Sequence, residues 1–357
     1  MATSPLYSKT FFTKRHPNNM KKIQDKKSII TITPKIRQKG FKSENITIND
    51  RSMENKEVLS LLEASYQENN IENLFNENDI KIIKLVIESY KIKISDNELL
   101  KEHFILDGHE LKEIERIENK YILRYIVYRY KYNKYPELKI IDKYPPCLQI
   151  EPTSICNLRC VMCYQADNSF SNKSTGFMGH MELDLFKKII DQVEGHVESI
   201  TFASRGEPFL NKNLIPMLDY CKGKFLALKL NTNATLLNEK NIHALLNSDL
   251  QTIVFSIDSA EKEQYEKIRV NADFDSIVGN VKLFTDIKRK YFPNSKLIVR
   301  ISGVQINEDQ SIKDMSAYWG QYADIVGFTN YLPWEDSYNN PLNAILDPCN
   351  ELWRRMF

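Results

Sequence analysis

The chain has 357 residues, of which 42% are hydrophobic, and its formal net charge at pH 7 is +2. This near-neutral charge gives no reason to expect binding to nucleic acid, and the absence of a run of 18 apolar residues argues against a membrane span. Six cysteines without an apolar secretory signal indicate free thiols in a reducing compartment. We therefore expect a cytoplasmic protein.

The first 52 residues differ from the rest in composition. Residues 1–50 contain eleven lysines and arginines against three acidic residues, together with three prolines. Such a segment buries too little apolar surface to fold alone, so we predict a mostly disordered basic arm with a short strand at 29–32. A solvated tail, an arm for an acidic partner and a targeting peptide all remain open.

Residues 53–143 show helical periodicity. Apolar residues at 58–62 and 80–90 mark two helices, and Ser95 with Glu98 has the spacing of a capping box that opens a third. A long helix is predicted from about 109 to 133. Its tyrosine stripe is expected to pack against the following domain, and gripping a substrate is the alternative. The stripe includes Tyr121, Tyr125, Tyr128 and Tyr132.

From residue 144 onward, short apolar strands alternate with amphipathic helices. This order predicts an α/β fold with a parallel sheet and right-handed crossovers. Six βα units are too few to close an eight-stranded barrel, so the sheet is expected to stay open. The strands are predicted at 147–151, 198–203, 225–231, 252–258, 297–302 and 324–329, and the helices at 182–195, 213–222, 238–248, 275–291 and 309–321.

Three cysteines follow the first of these strands. Cys156, Cys160 and Cys163 have the spacing C-x3-C-x2-C. Three thiolates on one loop can hold three irons of a [4Fe–4S] cluster and leave the fourth iron open to another ligand. A zinc site normally needs four ligands, and the next cysteine, Cys221, has no paired neighbour. A zinc-binding structural protein remains an alternative to the cluster.

This motif resembles the cluster motif of the radical S-adenosylmethionine (SAM) superfamily, and the resemblance covers about residues 145–335. It implies a partial (β/α)6 TIM-like barrel in a core at 144–335, after an N-terminal helical region. It also implies a [4Fe–4S] cluster, SAM and an electron donor such as flavodoxin or ferredoxin. The activity implied is reductive cleavage of SAM to a 5′-deoxyadenosyl radical, which takes hydrogen from a peptide, sugar or other small molecule. No general acid or base is identified.

Two further loops resemble cofactor-binding loops of that family. Ser204-Arg205-Gly206-Glu207-Pro208 is similar to its Gly-Gly-Glu-Pro, so Gly206 and Glu207 are implied to seat the amino group of SAM. Arg205 departs from the pattern and fits if its side chain points away. The next strand ends in Asn231-Thr232-Asn233-Ala234, where Asn231 or Asn233 contacts the cofactor or closes the turn. Alanine at 234, in place of the family's glycine, predicts a turn with negative φ.

A fourth loop adds two candidates, and the cysteine loop adds one. Ser256 and Arg269 match the family's Ser-Ile-Asp-Gly and the arginine downstream, which implies contacts with the ribose or carboxylate of SAM. The alternative is Asp258 as a helix cap with a solvated Arg269. Met162 occupies a position where relatives place an aromatic side chain near the adenine. Arg300, inside a strand, is expected to point into the barrel.

The segment 336–357 is predicted to be a linker and the start of a further domain. Pro348-Cys349 followed by Leu-Trp-Arg-Arg resembles the beginning of the cysteine-rich SPASM domain that follows many radical SAM cores. That domain needs several cysteines and this segment offers one, so the chain is truncated there or the resemblance is a remnant. A non-catalytic core that acts as a partner-binding module is the second functional hypothesis.

Overall fold

The computed structural model describes residues 53–68, 70–331 and 351–356, together with the backbone of 43–47. The predicted strand at 29–32, the proposed arm other than 43–47, and Cys349 lie outside the described residues. Residues 43–47 form a strand, which the sequence did not predict. No described helix is both long and apolar enough to cross a membrane.

The region before residue 144 is helical, as predicted. Its helices pack around a shared apolar core that includes Val58, Val86 and Ile126, each fully buried. This core forms because apolar residues recur at helical spacing on the facing sides of the helices. The helices are α1 (Asn55–Glu68), α2 (Ile71–Leu74), α3 (Glu77–Ile94), α4 (Gly108–Ile114) and α5 (Ile122–Leu138).

Two predictions in this region are wrong. Ser95 ends α3 and opens no helix, because its hydroxyl donates back to the carbonyl of Lys91 at 2.9 Å. The capping box that forms is Asp107 with Glu110, and it begins α4. The predicted long helix is two helices, separated by a break at 115–121. Within this break Arg116 reaches the carbonyl of Lys296 in the α/β region at 2.6 Å.

Eight strands form one open sheet in the order β1-β7-β6-β5-β4-β3-β2-β8. Strands β2 to β8 run parallel along this order, whereas β1 is antiparallel to β7. The predicted open α/β sheet is therefore confirmed, with two additional edge strands. The bounds are β1 (Ser43–Thr47), β2 (Cys147–Ile150), β3 (Ser199–Phe202), β4 (Ala227–Thr232), β5 (Leu250–Ser256), β6 (Ile298–Gln305), β7 (Ile325–Asn330) and β8 (Arg355–Met356).

The helices of the second half follow the strands in alternation. The five predicted helices are present, whereas α6, α10 and α13 were not predicted. Strand β8 begins at Arg355, directly after the short helix α13. The helices are α6 (Asn168–Ser171), α7 (Leu183–Val193), α8 (Leu214–Tyr220), α9 (Glu239–Leu246), α10 (Lys262–Ile268), α11 (Phe274–Tyr291), α12 (Ile312–Trp319) and α13 (Glu351–Arg354).

The two faces of the sheet differ in polarity. One face is apolar and fully buried against the helices that follow the strands, with residues such as Phe202, Leu230 and Phe255. The opposite face carries polar side chains, including Lys229, and lines a cavity of about 2190 Å³. Because successive strand residues point to opposite faces, one alternating pattern builds both the core and the cavity wall.

Helix α5 lies at the N-terminal ends of the strands. Arg124 of this helix forms a two-pronged ion pair, at 2.8 and 2.7 Å, with Glu198, the residue before β3. Tyr128 and Tyr132 of the predicted stripe line the cavity at this end, and Tyr132 accepts a hydrogen bond from Arg355 of β8. The stripe therefore packs against the α/β region, as expected, while it also forms part of the cavity wall.

We predict that Phe255→Ala lowers the free energy of unfolding by about 3–5 kcal/mol, because it empties a fully buried site in the core. Leu283→Ala, at a side chain that is 38% exposed, is the control and should change it by less than about 1 kcal/mol. Urea unfolding followed by circular dichroism measures both. Equal losses in the two variants would contradict the assignment of this sheet face to the core.

Candidate functional site

The cysteine loop, residues 156–163, follows β2 and is held by the backbone that follows α10. The amide of Arg159 donates to the carbonyl of Val270 at 3.0 Å, and the amide of Val161 donates to that of Ile268 at 2.9 Å. These two bonds fix the middle of the loop on either side of Cys160. The three cysteines are partly buried and form no disulfide.

The loop after β3 packs against the start of the cysteine loop. The amide of Glu207 donates to the carbonyl of Ile155 at 2.9 Å. A Cβ atom at Gly206 would lie 2.0 Å from the carbonyl oxygen of Thr153 and 2.7 Å from that of Ile155. Glycine is required here because two backbone segments touch, a reason that the sequence motif did not reveal. The implied contact of Gly206 with SAM stays a prediction.

The carboxylate of Glu207 is buried and joins the loops after β3 and β4. It accepts hydrogen bonds from the hydroxyl of Thr232 at 2.7 Å, the amide of Asn233 at 2.7 Å and the amide of Phe209 at 3.3 Å. Burial raises the pKa of Glu207 to about 7, and the three donors only partly oppose that rise. One acceptor position of the carboxylate therefore remains available for an ammonium group.

The loop after β4 reaches the cysteine loop through side-chain amides. Asn233 donates to the side-chain oxygen of Asn157 at 3.0 Å and approaches the sulfur of Cys156 at 3.9 Å. Asn157 in turn donates to the hydroxyl of Thr235 at 2.8 Å. Asn231 lies at the end of β4 and lines the cavity, and its buried Oδ1 has no hydrogen-bond partner among the described residues.

The turn at Ala234 differs from the prediction. Its φ is +63°, so the expected negative φ is wrong. The left-handed conformation is uncommon for alanine and needs support from its surroundings. That support comes from the amide of Ala234, which donates to Thr232 at 3.1 Å, and from Asn280, which donates to the carbonyl of Ala234 at 2.9 Å.

Arg269 lies between an acid and a cysteine. Its Nε donates to Asp258 at 2.5 Å and its Nη1 approaches the sulfur of Cys160 at 3.8 Å. Asp258 also accepts from the amide of Val304 at 2.7 Å. Both members of the pair are buried, so the alternative of a capping Asp258 with a solvated Arg269 is not realised. The sequence did not predict this pairing.

The remaining predicted residues fall into two places. Ser256 ends β5 and lines the cavity, whereas Met162 is half-buried within the cysteine loop. Arg205 turns its guanidinium to the carboxylate of Glu151, with nitrogen–oxygen distances of 2.7–3.1 Å. The departure from the family's glycine at 205 is therefore accommodated by an ion pair at the end of β2.

The chemistry of the three thiols suits a metal cluster that is bound with loss of protons. Burial raises the pKa of Cys160 to about 12 and also raises the pKa values of Cys156 and Cys163. Without a metal these thiols are protonated at neutral pH. Because a thiolate is the metal ligand, binding iron releases protons from this loop.

The number of thiolates favours a cluster over a single zinc ion, because three of them leave a tetrahedral zinc one ligand short. Among the described residues, the three sulfurs do not all lie within 4.8 Å of one another, whereas ligand atoms of Asp107, His109 and Glu110 do. Sulfurs around one tetrahedral zinc, at Zn–S of about 2.3 Å, would lie about 3.8 Å apart. In a [4Fe–4S] cluster each cysteine binds a different iron, which allows wider spacing. The residues present therefore fit the cluster.

Comparison with known proteins finds a family match over part of this chain. Residues 150–315 match the model of the Radical SAM superfamily. An uncharacterised protein of Methanocaldococcus jannaschii is 27% identical over 202 residues, covering 56% of this chain and 63% of that protein. Mycofactocin maturase MftC of Mycolicibacterium smegmatis is 23% identical over 176 residues, covering 49% and 43%. Streptococcus suis SuiB bound to precursor peptide SuiA has a TM-score of 0.40 at 18% identity, covering 77% and 55%.

The matched residues include the four loops described above. The family uses a [4Fe–4S] cluster and SAM, and its characterised members are enzymes. The matched segments span less than two thirds of each of these three proteins. What each of those proteins does as a whole therefore belongs to its own full length.

We predict that Gly206→Ala lowers the free energy of unfolding by about 1–3 kcal/mol and reduces iron incorporation, because the new Cβ forces two backbones apart. Gly279→Ala is the matched control, since a Cβ there meets nothing within 4 Å and the site is inside α11. Urea unfolding and iron analysis measure both. Normal iron content in the Gly206 variant would show that the contact does not position the cysteine loop.

We predict that the difference in unfolding free energy between the metal-free wild type and Glu207→Gln changes with pH. The pKa of Glu207 is about 7 when folded and 4.5 ordinarily, so the folded state holds the extra proton between these values. Its contribution to stability is present below pH 4.5 and is lost as pH rises through 7. The wild type should lose stability relative to the variant from pH 5 to pH 7, and a constant difference would contradict the buried carboxyl.

Proposed function

We propose that this chain is a radical SAM enzyme acting on a peptide or small-molecule substrate, with Cys156, Cys160 and Cys163 as the ligands of its [4Fe–4S] cluster. The observation that carries this proposal is three free thiols on one loop that is bonded to the ends of the neighbouring strands. When bound, the cluster and SAM supply hydrogen-atom abstraction, which no side chain can provide alone. The protein itself binds the cofactors and the substrate, orients them, and shields them from solvent.

We assign the cofactor contacts to the residues that face the space beside the cysteine loop. Asn231 offers an unsatisfied acceptor, Ser256 offers a hydroxyl, and Glu207 offers one acceptor position for an ammonium group. Arg269 contributes positive charge beside Cys160, which favours the thiolate. Gly206 keeps the loop carrying Glu207 in contact with the cysteine loop, and Met162 supplies an apolar surface for a base.

The size of the cavity supports a substrate that enters the partial barrel. Its volume of about 2190 Å³ exceeds the range of about 300–1,000 Å³ that is usual for a single small ligand. Both a cofactor and part of a substrate therefore fit. A peptide, a sugar and another small metabolite are all compatible with this volume. A relation to SPASM-containing enzymes is part of the same proposal and rests on the sequence alone.

An external electron donor, such as flavodoxin or ferredoxin, completes the proposal. The described cysteines outside the loop are Cys147 and Cys221, which are buried at separate positions in the sheet and in the core. In the part of the chain that the structure describes they form no second ligand group. The family resemblance implies that the electron comes from a partner. We expect this reaction in a reducing cytoplasm.

We predict that Cys156→Ala/Cys160→Ala/Cys163→Ala abolishes binding of the about four irons expected per chain after anaerobic reconstitution. Cys221→Ala is the control and should retain them, because its thiol lies in the core. Iron analysis and the visible absorption spectrum measure the change. With dithionite and SAM, wild type should release 5′-deoxyadenosine, detected by chromatography, and the triple variant should not.

Three results would overturn the proposal in different ways. Undiminished iron in the triple variant would remove the cysteine loop from the site. One zinc per chain and no iron would indicate the structural zinc protein. A full cluster with no 5′-deoxyadenosine would indicate the non-catalytic binding module.

A further inference from the structure

The inner face of the sheet carries a lysine without an acidic partner. Lys229 lies on β4, two residues before Asn231, so both side chains point to the same face. Lys229 lines the cavity, and its Nζ makes no hydrogen bond or ion pair with any described residue. Lys229 is half-buried, and an ammonium group that is partly removed from water without a partner is costly. Such a group is usually retained for a ligand.

A second cation faces the same cavity from β6. Arg300 is level with Val254 of β5, and Val254 is level with Asn231 of β4. Arg300 therefore lies two strands, or about 10 Å, from β4. It is also two residues closer than Lys229 to the C-terminal ends of the strands. Both side chains are long enough to meet one group in the space between them. Arg300 lines the cavity, as the sequence predicted.

A third cation comes from the edge strand β8. Arg355 lines the cavity, and its guanidinium donates to the side-chain oxygen of Gln149 at 3.2 Å and to the hydroxyl of Tyr132. The charge of Arg355 acts on Lys229, whose pKa it lowers. Cationic side chains therefore reach the cavity from β4, β6 and β8.

The electrostatics agree with this geometry. The pKa of Lys229 is lowered to about 8, first by burial and then by Arg300 and Arg355. Cys147 and Glu113 oppose this shift, and Glu113 accepts a hydrogen bond from the hydroxyl of Tyr125 at 2.7 Å. An anion beside Lys229 would relieve the repulsion that Arg300 and Arg355 exert on it.

We propose that Lys229 and Arg300 bind an anionic group of the substrate, a carboxylate or a phosphate. This inference rests on the proposed function and narrows its substrate class. Lys229 lies about 7 Å deeper than Asn231, which is one full pleat along the strand. The anionic group therefore binds between the level of Lys229 and that of Asn231 and Arg300, and the reacting carbon lies a few bonds away, nearer to Ser256.

The test uses the full chain, reconstituted anaerobically and saturated with SAM so that the cofactor site is filled. Isothermal titration with inorganic pyrophosphate and with succinate, at constant ionic strength, should show saturable binding of one probe to the wild type. The probe that binds distinguishes phosphate from carboxylate. Lys229→Gln and Arg300→Gln should each weaken binding about 10- to 100-fold, the worth of a hydrogen bond to a charged group.

Lys240→Gln is the control, because Lys240 is an exposed residue of α9. This variant should bind the anion probe with the same affinity as the wild type. Iron content and melting temperature equal to those of the wild type show that each variant is folded. Absence of saturable binding for both probes, or unchanged affinity in both cavity variants, would overturn the inference.

Failure of this inference is distinguishable from failure of the proposed function. Wild-type protein that cleaves SAM but binds neither anion contradicts only the anion site. Protein that binds an anion but forms no cluster, or releases no 5′-deoxyadenosine, contradicts only the enzyme proposal.

Discussion

The bonds that hold the cysteine loop to the ends of β3, β4 and β5 are the constraint on which the functional site depends. Parallel strands end at one edge of a sheet, so the segments that follow them arrive on the same side. Glu207 binds the loop before its first cysteine, Asn233 binds it between the first two, and Ile268 and Val270 bind it around the second. The three sulfurs are therefore positioned by the sheet, and the loop needs no regular structure of its own.

Charged side chains in the loops and in the cavity differ in their partners. Asp258 and Arg269 form a close pair, so their desolvation is offset by mutual attraction and by the amide of Val304. The pair is asymmetric, because Arg269 still directs a nitrogen to Cys160. Lys229 has no such partner within the described residues. The charge of Arg269 is thus neutralised by Asp258, and the charge of Lys229 is available to an anionic ligand.

Much of this arrangement was predictable from the sequence, because the strands are short apolar runs and the four loops follow them directly. The predictions that failed depend on hydrogen bonds that the local sequence pattern does not reveal. Ser95 has the spacing of a helix start, but its hydroxyl bonds back to Lys91 and ends the helix. Ala234 adopts a positive φ because Asn280, far along the chain, holds its carbonyl. Local patterns do not encode such distant partners. Lys229 was missed because a lysine within a strand reads as solvent-facing.

The signal for Lys229 was nonetheless present in the alternation of the strands. In a closed, filled barrel the inner face is apolar, because side chains pack against one another there. Here the inner face mixes polar side chains with a few apolar ones such as Val254 and Ile298, while the large apolar core lies on the other face. Helix α5 covers the cavity at the N-terminal ends of the strands. A polar inner face beside the cysteine loop is typical of a solvent-filled cavity that binds a ligand. A substrate held at Lys229 then extends past Asn231 toward the cysteine loop, which is the order that the proposed chemistry requires.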